Sequence, residues 1–75
     1  MTLQINGEKR ELRDGLLLSS LIEEMGMKAD RVAVERNGDI VPRGRWAETV
    51  LHDGDRLEIV HFVGGGSVPF RLSDW

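Results

Sequence analysis

The sequence has no cysteine, two prolines, two histidines, and two phenylalanines and two tryptophans as its only aromatic residues. Without cysteine there is no disulfide, no thiolate-based zinc site and no thiol to attack a substrate or carry a persulfide. If the protein handles sulfur, it does so at another atom. No stretch approaches the roughly 20 consecutive apolar residues that span a membrane. The first residues, Met1-Thr2-Leu3-Gln4-Ile5-Asn6, lack the basic region and apolar run of a secretory signal, so a cytoplasmic protein without a membrane partner is expected. Positive charge is also scarce. Ten Lys and Arg against thirteen Asp and Glu leave a net charge of −3, which argues against a nucleic-acid partner. Lys9, Arg10 and Arg13 form too small a cluster to change that and read as a solvated strand or loop.

Seventy-five residues allow one domain. A chain of this size buries only about 60% of its unfolded surface, so stability must come from compact packing of Leu, Ile and Val. The apolar fraction of 40% is that of a folded domain.

Leu3 and Ile5 alternate with polar residues, as in a half-buried strand. Asn6-Gly7 predicts a type I′ hairpin turn, residues 8–13 the return strand with Leu12 inward, and Asp14-Gly15 its end. The period then changes. Leu18, Leu21, Ile22 and Met25 mark one face of a helix, and Gly26 its left-handed stop. Leu16 and Leu17 offer no capping oxygen, so the first turn must fray or find another acceptor. Val32 and Val34 predict a strand, Asn37-Gly38 a second hairpin leading to Ile40 and Val41, and Pro42 a sheet edge. Residues 43–47 predict a short helical turn carrying Trp46. Asp53-Gly54-Asp55 is a tight turn before a final strand over 57–63. Two strands, then a helix packed across a mixed sheet of four to five strands, is an α+β arrangement on the β-grasp (ubiquitin-like) plan.

A self-contained active site is not expected. His52 and His61 lack ligand partners at metal-binding spacing, Ser19 and Ser20 lack a nucleophile elbow, and no phosphate-binding loop is present. The last strand is more informative. Leu57 and Ile59, with His61, share one face; Glu58, Val60 and Phe62 share the other. Glu58 marks its face as solvent-facing, so Val60 and Phe62 read either as an exposed partner surface or as packing under a loop. Gly64, Gly65 and Gly66 follow directly. They read as a flexible linker or as a chain end that can thread a narrow channel, because glycine lacks Cβ.

Asn6-Gly7, Val41-Pro42-Arg43 with Trp46, the run from Asp53 to Val60 and the end Phe62-Val63-Gly64-Gly65-Gly66 together resemble the ThiS family of sulfur carriers in thiamine biosynthesis, over nearly all of residues 3–66. The resemblance implies a carrier and not an enzyme, with no bound cofactor. It implies that a ThiF-type adenylating enzyme uses ATP and magnesium to activate the carboxylate of Gly66, with Gly64 and Gly65 threading into the site. The resulting thiocarboxylate would give sulfur to thiazole synthase. The chain departs from the family by continuing through residues 67–75. The expected organisation is thus a β-grasp domain over 1–63, a reactive glycine tail over 64–66, and an extension over 67–75 that is disordered or is removed by a protease. Two other readings stay open: a tail-activated carrier serving molybdopterin, cysteine or siderophore-like products, and a β-grasp binding module without covalent chemistry.

Overall fold

The computed structural model describes residues 1–63 and 68–71. Strands β1 (Thr2–Ile5) and β2 (Glu8–Glu11) pair antiparallel, from Thr2 opposite Glu11 to Ile5 opposite Glu8. Asn6 (φ 52°) and Gly7 (φ 84°) both adopt the left-handed backbone that a type I′ turn requires. The return strand ends two residues earlier than expected. Leu12 lies beyond it, yet its N–H still donates to the Met1 carbonyl (2.9 Å) and its side chain packs at the edge of the core.

Helix α1 (Leu18–Glu24) buries Leu18, Leu21 and Ile22. Its uncapped start finds an acceptor elsewhere in the chain: the Leu18 N–H donates to the Thr49 carbonyl, and the Leu51 N–H to the Leu16 carbonyl, both at 2.9 Å. Its end is a Schellman motif around Gly26 (φ 74°). The Gly26 N–H donates to the Glu23 carbonyl and the Met27 N–H to the Ile22 carbonyl.

A 3₁₀ turn over Ala29–Arg31 leads into β3 (Val32–Arg36), which pairs through the Asn37-Gly38 turn with the short β4 (Asp39–Ile40). Pro42 follows at this sheet edge, where its missing N–H costs no ladder bond. A second 3₁₀ turn, Arg43–Glu48, buries Trp46 against α1. Strand β5 (Arg56–Val63) runs through the middle of the sheet, parallel to β1 and antiparallel to β3, giving the order β2-β1-β5-β3-β4. This mixed sheet with one helix across it is the β-grasp arrangement. Leu3, Ile5, Val34, Leu57 and Ile59 line its inner face beneath α1, Trp46 and Leu51.

The strand expected to be final is not. Val68–Arg71 forms a further strand, β6, antiparallel to residues 60–63 of β5. These four residues belong to the extension expected to be disordered or removed, and here they pair with β5. The reason is local: β1 turns away at Asn6, leaving the far half of β5 with one edge to pair.

Candidate functional site: the central strand and its exit

The chain end singled out by the sequence, Gly64 to Gly66, lies outside the described residues; the strand that aims it does not. Residues from three distant turns hold the first half of β5. At the Asn6 turn the main-chain N–H donates to the Leu57 carbonyl (2.9 Å). The Asn6 side chain then copies a strand residue: its Oδ1 accepts the Ile59 N–H (2.8 Å) and its Nδ2 donates to the Ile59 carbonyl (3.1 Å). On the opposite edge Asn37 plays the matching part. Its main-chain N–H donates to the Arg56 carbonyl (2.8 Å), and its Oδ1 accepts the Arg56 N–H (2.9 Å).

Asp55 ties the third turn to these. It is 6% exposed, and its carboxylate accepts from the His52 N–H (2.9 Å), the Asn37 amide (3.1 Å) and the Arg36 guanidinium (3.0 Å). Burial pushes the Asp55 carboxyl up, but these donors outweigh it and hold it below the usual carboxylate range. The same turn clamps β1: the Asp53 carboxylate accepts the Thr2 N–H (2.7 Å), and the Gly54 N–H donates to the Thr2 carbonyl (2.8 Å). Sequence reading found these asparagines and aspartates only as turn formers. Their links to β5 span up to 53 residues and leave no local signal.

The Val41-Pro42-Arg43…Trp46 segment is also a structural device. The Trp46 indole donates to the Val41 carbonyl (2.9 Å), and the Arg45 N–H to the Pro42 carbonyl (2.8 Å), so the tryptophan is fixed as a buried plug.

Alternation along β5 is as expected. Leu57 and Ile59 are buried beneath α1, while Glu58, Val60 and Phe62 belong to the outer face. Val60 and Phe62 are half-buried, between the exposed surface and the packed side chain that the sequence left open. Val60 lies between Ala33 of β3 and Arg71 of β6, whereas Phe62, past the end of the β3 pairing, lies opposite Pro69 of β6. Among the described residues the exposed large apolar side chains are Ile40, at 72%, and Val50, at 39%. Nearer the start of β5 the outer face has a shallow depression of about 310 Å³ lined by Gln4, Glu35, Arg56 and Glu58 among others. Glu35 and Glu58 are direct cross-strand neighbours there, which gives this region an acidic character. Among the described residues no three His, Cys, Asp or Glu side chains gather to hold a metal, and no helix is long and apolar enough to cross a membrane.

The parts that carry the arrangement are thus turns that fix a central strand whose exit is three glycines. The ThiS family model matches residues 3–66, ending on the last of those glycines. The chain belongs to the ThiS family. Among ThiS relatives, the sulfur carrier protein ThiS of Bacillus subtilis is 40% identical over 65 residues, covering 85% of this chain and 98% of that one. A thiazole synthase of Paramagnetospirillum magneticum is 48% identical over 67 residues, covering 89% of this chain but 21% of the other. The chain spans about one fifth of the length of the thiazole synthases it matches. The crystal structure of the thiamine biosynthesis protein ThiS from Geobacter metallireducens superposes with a TM-score of 0.76 at 32% identity, covering 88% of this chain and all of that one.

Proposed function

We propose that this chain carries sulfur for thiazole formation in thiamine biosynthesis, on the carboxylate of Gly66 and not on a side chain. The observation that carries this reading is the family match, which runs through the β-grasp domain and stops at Gly66. A ThiF-type enzyme with ATP and magnesium would supply the activation. A Gly66 carboxylate oxygen attacks the α-phosphate, pyrophosphate leaves, and an acyl adenylate remains. A sulfur nucleophile then attacks the acyl carbon; the C–O bond breaks and AMP departs with its electron pair. The product is a thiocarboxylate that gives its sulfur to thiazole synthase. In this scheme the chain is a co-substrate. Gly64 and Gly65 pass through a channel too narrow for a Cβ, and Val60 and Phe62 belong to the face that docks.

In the chain as it stands, the Gly66 carbonyl is an amide with Ser67, and an amide oxygen is a poor nucleophile toward ATP. A version ending at Gly66 should support ATP–pyrophosphate exchange with the activating enzyme. Given a sulfide source, it should gain the mass difference between sulfur and oxygen. The intact chain should do neither. Failure of the shortened form with competent ThiF-type enzymes would overturn the carrier reading and leave a binding module.

The match to thiazole synthases favours a second arrangement. In those proteins the similar segment is part of a much longer polypeptide. On that pattern residues 67–75 lead toward the sulfur acceptor, whereas on the precursor pattern a protease removes them. Intact mass of the protein recovered from its own cell separates the two.

A further inference from the structure

Backbone groups alternate in direction along a strand, so every second residue of β5 bonds to the same neighbour. Leu57 and Ile59 face the β1 side, where Asn6 meets both. Arg56 faces the other side, where Asn37 meets it. Continuing this alternation turns the main-chain groups of His61 and Val63 to the side that β1 has left. There β6 lies, with Phe70 opposite His61 and Val68 opposite Val63. Pro69 falls opposite Phe62. At that position an antiparallel pair exchanges no hydrogen bond, so a residue without N–H fits β6 at no loss. The register, the vacated edge and the proline agree on one arrangement.

We propose that Val68–Arg71 is a resident strand that closes the His61–Val63 edge of β5 against strand addition, making the intact chain a latent form of the carrier. The latency rests on the carrier reading above; the closure does not. An open strand edge recruits extended segments of other chains through its unpaired N–H and C=O groups. A segment joined to that edge by a four-residue connection acts at high effective concentration and excludes competitors. An extended partner segment therefore gains the edge only when residues 68–71 leave it.

Amide hydrogen exchange at single-residue resolution tests this without any enzyme. Phe70→Pro in the intact chain removes the donor facing His61. It should speed exchange at His61 and Val63 by about tenfold or more, leaving Glu58 and Val60, which bond toward β3, unchanged. Arg71→Pro, at a non-bonding position like that of Pro69, should change none of the four. In a chain ending at Gly66, His61 and Val63 should exchange as fast as in the Phe70→Pro variant. Adding a free peptide of residues 67–75 should then slow those two amides again, while the same peptide should not bind the intact chain. Equal exchange at His61 and Val63 in all four proteins, or peptide binding to the intact chain at that edge, would overturn the proposal. Since no readout involves adenylation, the carrier reading and the edge closure fail separately.

Discussion

Residues 56–59 of β5 are held on both edges by groups from within the β-grasp domain: Asn6 and β1 on one side, Asn37 and β3 on the other. Residues 60–63 keep β3 along part of one edge but share the other with β6, which lies beyond the glycines in the chain. The first half also contributes Leu57 and Ile59, both at most 1% exposed, to the core, whereas Val60, His61 and Phe62 are half-buried. One strand thus joins a half built into the core to a half paired with a strand from beyond the glycines. Under the two proposals above, this division lets the exit change partners without loosening the core.

The comparison is broken most severely in the first half. Leu57→Ala or Ile59→Ala should lower stability by about 2–5 kcal/mol, through lost burial and the cavity left behind. Urea unfolding followed by tryptophan fluorescence would measure it, since Trp46 packs in the same core. An unchanged midpoint would show that β5 is not the centre of the core.

Asn6→Ala should come next, at about 1–3 kcal/mol. It strips both partners from the Ile59 backbone and places a Cβ-bearing residue without a compensating amide at φ 52°. Asn6→Gly relieves the backbone strain but not the lost bonds, so it should fall between Asn6→Ala and the parent.

A smaller effect belongs to Asp55. Its carboxyl is held below its ordinary value in the fold, so the stability it contributes is fully present above the unfolded value and is lost as pH falls through the folded one. Asp55→Asn should flatten that part of the acid-unfolding curve; identical curves for both proteins would show that the cluster with Arg36 and Asn37 adds nothing.

Phe62→Ala, in the second half, should cost about 1 kcal/mol or less, yet should weaken docking on the activating enzyme. If it unfolded the domain while the folded fraction bound normally, the two halves of β5 would be alike after all.

Much of the fold was legible because it is written locally. The Asn-Gly pairs, the helix period ending at Gly26 and the alternation of Leu57 and Ile59 each need only a few neighbouring residues to act. The same holds for the three glycines, whose lack of side chains can be read without a structure. Long-range pairing could not be read in this way. Nothing beside Asn6 signals that its amide will complete the ladder at Ile59, and nothing beside Asp55 signals that Arg36 and Asn37 will converge on it. Leu16 and Leu51, both buried, and the Thr49 carbonyl that receives the start of α1 were likewise hidden, since an isolated bridge between loops has no period. The partial burial of Val60 and Phe62 was decided last, because it depends on which strands flank β5. Sequence by itself therefore determined most of the elements and the absence of side chains at the glycines. Only the tertiary structure decided which strand would sit at the centre, and that residues 68–71 would take the edge β1 leaves open, because backbone hydrogen bonds are the same for every residue and only the assembled sheet shows which of them remain to be paired.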